Sequence, residues 1–334
     1  MSAGRAGLHA SLALLALAGL GACGGGGTEN YVELGRTDKV AVIQAHQPVT
    51  AEALAQRYLD DPGLAWRIAE ANEGSLIRAR ETAIVPLVPR HPGGILDAGF
   101  QAVTVLCYHR FTTAAQSDNA LIVTEKAFAD QLAYLKRHGY TVIALADLLG
   151  FLAGEADLPP KSVVITIDDG FASVHDIAYP LLKRYQMPAT LFVYHDFIGG
   201  GAALSWDQVA AMGRDPLISL QSHSKTHSNL ALPEAGESTD AYRQRLVGEV
   251  ETPHRRLADL EDDPQFAFSF PYGDGSDVLI AILRDRGYRV AATVQRGGNT
   301  TYADPHMLRR TMIYGDDSVE AFAAKIETFQ EVSR

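Results

Sequence analysis

Two adjacent acids, Asp168 and Asp169, stand at the end of an apolar segment and could do chemistry together. Residues 162–167 are rich in β-branched side chains and predict a buried strand, which two charges would end. We therefore expect both carboxylates at a strand's carboxyl end, where parallel α/β sheets and barrels build active sites. Two close carboxylates repel, which favours one as a cation ligand and the other as a proton acceptor. The alternative is a simple turn and helix cap, because Asp-Gly is common in turns.

Two histidines, His223 and His227, lie four residues apart just after the apolar segment 218–222. This spacing lets both imidazoles reach one ion from a helical turn. With one carboxylate of the acidic pair they form a two-histidine, one-carboxylate set, which leaves coordination positions for water and substrate. The alternative is a pair of surface histidines with no common ligand.

Strands alternate with helices from about residue 100 onward, which predicts an α/β protein with a parallel βα barrel of seven or eight units. Predicted helices begin after Thr124 and near residues 178, 242 and 278. The predicted strands cover residues 103–108, 141–144, 161–169, 189–193, 218–222, 266–270, 290–293 and 309–313.

Composition limits the class of partner. The 334 residues include 47% hydrophobic ones, enough for one large core and a small second domain, and the formal net charge is −11. Nucleic acid is disfavoured because no basic stripe is available to neutralise phosphates. A neutral or cationic substrate suits this charge better.

The first residues predict a targeting segment rather than a part of the folded protein. An apolar run, residues 12–20, is short for a membrane span and leads into Leu20-Gly-Ala-Cys23, which resembles a bacterial lipobox. The resemblance implies a signal peptide over residues 1–23, a lipid on Cys23, a flexible tether over 24–38, and a place in the cell envelope, at the periplasmic face of the outer membrane. The alternative is an ordinary secretory signal in which Cys23 is incidental.

Residues 39–90 predict a small βααβ domain. The spacing of Ala55-Gln-Arg-Tyr58, Ile68-Ala-Glu-Ala-Asn72 and Ile84-Val-Pro86 resembles a LysM module, a fold that binds N-acetylglucosamine-containing glycans. The family's usual glycine-aspartate-threonine opening is absent. The alternative is a structural spacer between tether and barrel.

Three segments in order, Thr166-Ile-Asp-Asp-Gly170, His223-Ser-Lys-Thr-His227 and Phe268-Ser-Phe-Pro-Tyr-Gly273, resemble the first three motifs of the polysaccharide deacetylases, carbohydrate esterase family four. Tyr108-His109 looks most like the branch that de-N-acetylates poly-β-1,6-N-acetylglucosamine. The resemblance implies a distorted (β/α)7 barrel over residues 100–332 and metal-dependent removal of acetyl groups from an acetylated polysaccharide.

The resemblance also implies roles for individual residues. Asp169, His223 and His227 would hold a divalent metal ion, Zn²⁺ by ligand type with Co²⁺, Ni²⁺ or Fe²⁺ as alternatives. Asp168 would be the general base, and the backbone N–H of Tyr272 would bind the oxyanion.

Two departures from the family pattern change the expected site. Ser269 stands where the family usually has an arginine that orients the base, and we expect Arg309 or Arg310 to replace it. The family's leucine-x-histidine, source of the general acid, is not recognisable near residues 308–314. His109 is the preferred substitute, with a buried structural histidine as the alternative.

Three functions follow from these patterns. The first is an envelope-anchored N-deacetylase acting on an N-acetylglucosamine-containing polysaccharide, with the membrane reached through Cys23. The second keeps the site and makes the chain an O-acetyl glycan esterase. The third is a glycan-binding lipoprotein without turnover.

Overall fold

The computed structural model describes residues 30–260 and 266–332, which form two compact units that meet in sequence at Val85 and Pro86. The predicted signal peptide, the predicted lipid site Cys23 and the first part of the predicted tether lie outside the described residues. Among the described residues, no helix has the length and apolar character needed to span a membrane.

The first unit contains the predicted strand-helix-helix-strand order together with additional strands. Its core includes the fully buried side chains of Ile43, Leu54, Ile68 and Val85. A three-stranded sheet has the order β1-β2-β5, and β3 pairs with β4. The elements are β1 (Tyr31–Arg36), β2 (Val40–Ala45), β3 (Val49–Thr50), α1 (Ala51–Leu59), α2 (Ala65–Ala71), β4 (Leu76–Ile77) and β5 (Thr82–Pro86).

Strand β1 corrects the predicted tether, which extended to residue 38. Tyr31–Arg36 pairs antiparallel with β2, so the ladder satisfies its backbone groups. Most of its side chains are exposed, and the strand therefore lacks the apolar alternation that would reveal it in the sequence.

The second unit contains the barrel. Its elements are β6 (Ile95–Leu96), β7 (Gly99–Gln101), β8 (Val103–Tyr108), β9 (Arg110–Thr112), β10 (Ile122–Thr124), α3 (Glu125–Arg137), β11 (Thr141–Ile143), α4 (Asp147–Leu152), β12 (Ser162–Asp169), α5 (Tyr179–Tyr185), β13 (Ala189–Val193), α6 (Trp206–Gly213), β14 (Ile218–Ser222), α7 (Thr239–Ala258), β15 (Ala267–Ser269), α8 (Asp277–Asp285), β16 (Val290–Ala292), β17 (Gly298–Asn299), β18 (Thr311–Met312), α9 (Val319–Ala323) and β19 (Phe329–Glu331).

Seven parallel strands form the curled sheet, which confirms the distorted (β/α)7 barrel. The order is β16-β15-β14-β13-β12-β8, and β18 pairs parallel with β8 on its other side. Ala292 of β16 forms a parallel bridge with Leu308, three residues before β18. Pairing between β14 and β15 is limited to Ser222 and Phe268, which marks the distortion. The remaining predicted strand, residues 141–144, corresponds to β11. It lies outside this strand order and pairs with β12.

The barrel strands are buried on both faces, which explains their continuous apolar runs. Leu106 and Ile165 belong to a core cluster shared with helix α3, while Val105 and Val164 pack in a second cluster with Phe192. Polar groups therefore concentrate where the strands end.

Candidate active site

Five barrel segments place polar side chains at one edge of the sheet. Strand β12 ends in the acidic pair, and β15 ends at Ser269. His109 follows β8, His223 follows β14, and Arg310 precedes β18. In the ladder, Asp169 pairs with Val193, which pairs with Ser222, so the acidic pair and the first histidine are brought close by strand register.

Asp169, His223 and His227 form a group that could hold a metal ion. The Oδ1 atom of Asp169 lies 3.6 Å from Nε2 of His223 and 3.5 Å from Nε2 of His227. A tetrahedral ion about 2.1 Å from each ligand requires ligand separations of about 3.4 Å. The observed distances match that requirement.

A second observation supports a cation here. The Oδ1 atom of Asp169 is buried and accepts no hydrogen bond from the described residues. A buried acceptor without a partner is costly, and a bound cation would satisfy it. The donor set therefore fits a divalent ion.

Burial shifts the pKa values of these three side chains. Burial, and then the neighbouring Asp168 charge, raises the pKa of Asp169 to about 7, while Arg310 acts in the opposite direction. Burial lowers the pKa of His223 to about 4 and also lowers the pKa of His227. Both imidazoles are therefore neutral near pH 7, which is the form that binds a metal.

The orientation of His223 is set by strand β15. Its Nδ1 lies 2.8 Å from the backbone oxygen of Ser269 and donates to it, which leaves the Nε2 lone pair facing Asp169. This hydrogen bond to an oxygen that can only accept identifies the tautomer.

The backbone around the group is strained. Of eight non-glycine residues with positive φ in the described chain, four lie here: Asp169 (75°), Ser224 (70°), His227 (60°) and Tyr272 (61°). A left-handed conformation costs such residues about 1–2 kcal/mol each. Strain of this kind concentrates at functional sites and persists only where surrounding contacts hold it.

Asp168 has a different partner, Arg310. The guanidinium donates from Nη1 to Oδ1 and from Nη2 to Oδ2, both at 2.7 Å, in a bidentate pair that is fully buried. The Ser269 hydroxyl donates to Oδ2 at 3.1 Å and accepts from Arg310 at 2.8 Å. Burial alone would raise the pKa of Asp168, but Arg310, followed by His223, holds it well below its usual range.

The structure decides between the two expected arginines in favour of Arg310. Its Nε also donates to the backbone oxygen of Thr293 at 2.8 Å, so the guanidinium is held at both ends. Arg309 is exposed and points elsewhere, with Nη1 at 3.5 Å from the backbone oxygen of Arg296. The serine in the third motif is thus a partner of the replacement arginine.

His109 lies beside the same carboxylate. Ligand atoms of Cys107, His109 and Asp168 lie within 4.8 Å of one another, a second group that the sequence did not reveal. It does not suit a cation, because Arg310 already neutralises both oxygens of Asp168. The Nδ1 atom of His109 is buried without a hydrogen-bond partner in the described residues, and burial lowers the pKa of this imidazole.

Tyr272 lies at the open side of the group. Its side chain is 61% exposed, and its ring meets the His227 ring edge-on, with centroids 4.9 Å apart. Tyr272 follows Pro271 in a short 3-10 turn after β15.

Sequence reasoning missed Glu249, an acid of helix α7 that hydrogen-bonds to the segment between the two histidines. Its position among the buried residues Leu246, Val250 and Leu257 is the one sequence signal, since a glutamate on an apolar helix face needs a partner.

Comparisons with known proteins agree with this geometry. Residues 155–291 match the family model for polysaccharide deacetylase. A poly-beta-1,6-N-acetyl-D-glucosamine N-deacetylase of Escherichia coli K12 is 26% identical over 271 residues, which cover 70% of this chain and 39% of that protein. The chain thus spans about two fifths of that relative's length.

Two shorter relatives are covered more fully. An enzyme with the same name from Staphylococcus epidermidis is 26% identical over 216 residues, 63% of this chain and 73% of that protein. The solved structure of IcaB from Ammonifex degensii has a TM-score of 0.59 and 25% identity, and covers 67% of this chain and 96% of that one. The barrel and the family match agree, and they identify a polysaccharide deacetylase domain in the second unit of this chain.

Proposed function

We propose that this protein is a metal-dependent deacetylase that removes N-acetyl groups from an N-acetylglucosamine-containing polysaccharide. The observation that carries the proposal is the unpaired, buried oxygen of Asp169 facing both histidines, beside an Asp168 that Arg310 engages separately. One carboxylate is left for a cation and the other for proton transfer, as hydrolysis of an acetamide requires.

Asp169, His223 and His227 would hold the ion. When bound, a divalent ion there lowers the pKa of a water molecule and polarises the acetyl carbonyl. Zn²⁺ suits a two-histidine, one-carboxylate set, and Co²⁺, Ni²⁺ and Fe²⁺ are alternatives for the same ligands.

The chain's own residues supply the proton transfers. Asp168 is ionised near neutral pH and accepts the proton of the attacking water. The water oxygen adds to the acetyl carbon, and the backbone N–H of Tyr272 donates to the resulting oxyanion. The proton that Asp168 accepts passes through His109, which lies beside it, to the leaving nitrogen as the carbon–nitrogen bond breaks. The products are acetate and a free amine.

The substrate class rests on the relatives and on charge. The relatives from Escherichia coli and Staphylococcus epidermidis are named for poly-beta-1,6-N-acetyl-D-glucosamine, and a polysaccharide of that type is the substrate we propose. Its deacetylated product carries amines, which a chain with a formal charge of −11 attracts.

Deacetylation of a panel of glycans tests the proposal. Metal-free and metal-restored protein is incubated with N-acetylated and O-acetylated polymers, and released acetate and new amines are measured. Metal-dependent amine release supports the proposal. Acetate without amines from O-acetylated polymers indicates an esterase, and glycan binding without acetate release indicates a protein without turnover.

We also propose roles for the amino-terminal part of the chain. The first unit is proposed to bind the same glycan, as the LysM resemblance implies, and Cys23 is proposed to carry a lipid that anchors the protein in the cell envelope. Membrane release or failed processing of Cys23→Ser supports the anchor, and mass spectrometry showing an unmodified mature start elsewhere contradicts it.

A further inference from the structure

The fold does not hold the three proposed metal ligands equally firmly. Asp169 ends strand β12 and His223 directly follows strand β14, whereas His227 lies in the loop after β14. The His223 side chain is 3% exposed and that of His227 is 24% exposed. The loop conformation therefore decides whether the third ligand meets the other two.

That loop has a conformation that it cannot hold by itself. Ser224 and His227 both have positive φ, at 70° and 60°. The Ser224 hydroxyl accepts from the backbone N–H of His227 at 3.0 Å, a local contact. Two such conformations cost about 1–2 kcal/mol each, so contacts from outside the loop must hold them.

A buried acid on helix α7, Glu249, supplies such contacts. Its Oε2 accepts from the backbone N–H groups of Lys225 at 3.0 Å and Thr226 at 2.9 Å, and its Oε1 accepts from the Thr226 hydroxyl at 2.8 Å. Glu249 is only 6% exposed. Hydrogen bonds to a buried carboxylate are among the stronger ones, and three of them converge on two consecutive loop residues.

Backbone groups just after strand β13 also hold the loop. The backbone N–H of His195 donates to the Ser224 oxygen at 3.1 Å, and that of Asp196 donates to the Lys225 oxygen at 2.9 Å. Lys225 also pairs with Asp196, but both side chains are over one-third exposed, so this ion pair contributes little. Glu249 thus provides the buried charged contact to the centre of the loop.

We propose that Glu249 is a positioning residue for the metal centre, which acts through the loop by holding His227 against Asp169 and His223. The proposal rests on the metal-dependent function proposed above. Groups that orient metal ligands without touching the ion typically change metal affinity by about ten- to a hundred-fold when removed.

The test measures Zn²⁺ affinity by competition with a chromophoric chelator, without substrate, for the wild-type chain and three variants. Glu249→Ala is expected to bind Zn²⁺ about ten- to a hundred-fold more weakly. Glu249→Gln keeps an oxygen for the two backbone N–H groups, and its affinity is expected between those of Glu249→Ala and wild type. Glu251→Ala is the matched control, because Glu251 lies on the same helix and pairs with Arg286 instead of the loop.

The outcomes separate this inference from the proposed function. The positioning role is overturned if Glu249→Ala binds Zn²⁺ with wild-type affinity while its metal-free melting curve matches that of Glu251→Ala. If Glu249→Ala does not fold, the Zn²⁺ affinities of Glu249→Gln and Thr226→Val are compared with that of the wild type. Wild-type affinity in both variants also overturns the positioning role. A wild-type chain that binds none of Zn²⁺, Co²⁺, Ni²⁺ and Fe²⁺ contradicts the proposed function, and this inference fails with it.

Discussion

Asp168 and Asp169 are neighbours in sequence, yet their surroundings are opposite. Asp168 is buried with both oxygens engaged by Arg310, and its pKa lies well below the usual range. Asp169 has a buried oxygen without a hydrogen-bond partner in the described chain, and its pKa is raised to about 7. Different segments of the chain surround the two carboxylates: Arg310 engages Asp168, and two histidines face Asp169.

One residue type therefore acquires two functions from its neighbours. A carboxylate that is already neutralised by a buried guanidinium is a poor cation ligand, whereas an unpaired one favours a cation. The pair resembles other carboxylate pairs whose environments push their pKa values apart and so assign their roles. Four experiments test this contrast.

Asp168→Asn should give the largest effect. Turnover should fall by about two to four orders of magnitude, the usual contribution of a general base, while stoichiometric metal is retained. Metal content and rate are measured side by side, with Asp169→Asn as the comparison, which should bind metal weakly. If Asp168→Asn loses the metal while Asp169→Asn retains it, then Asp168 is the metal ligand and Asp169 is the base.

Arg310→Met should mainly affect stability. It leaves the Asp168 carboxylate buried without its charged partner, and breaking a buried pair in this way costs about 3–5 kcal/mol. Denaturant unfolding of the metal-free protein measures the change. Arg309→Met is the control, because Arg309 is exposed, and it should change the free energy of unfolding by less than about 0.5 kcal/mol. Equal effects of the two substitutions would contradict the assignment of Arg310.

Metal affinity should depend on pH through Asp169. Because its pKa is raised to about 7, a proton competes with the ion below that pH, and affinity should fall by up to about tenfold per pH unit. His223, whose pKa is lowered to about 4, competes only in more acidic solution. Zn²⁺ titrations between pH 5 and 8, a range of about three units around that value, measure the slope. A flat profile would show that Asp169 is ionised throughout.

Ser269→Ala should have the smallest effect. It removes one hydroxyl from the Asp168 and Arg310 pair, at a cost of about 1 kcal/mol in unfolding free energy. The backbone oxygen that orients His223 remains, so metal affinity should stay at the wild-type value. A large loss of metal in this variant would mean that the hydroxyl links the two carboxylate environments.

Much of the site follows from local sequence. The apolar run before Asp168 and the run before His223 predict two strand ends, and parallel strands bring such ends to one edge. Eight predicted strands were found, because continuous apolar runs bounded by polar residues are a local signal. The exposed strand β1 was missed because it lacks that signal.

The electrostatic environment of each group depends on the tertiary structure. Arg310 lies 142 residues from Asp168 in sequence, and only the closure of the barrel by β18 brings the two together. Neither composition nor spacing distinguishes Arg310 from Arg309, since burial and direction depend on the folded chain. The roles of Asp168 and Asp169 separate for the same reason: a charge responds to whatever lies within a few ångströms of it, and distant segments supply those neighbours.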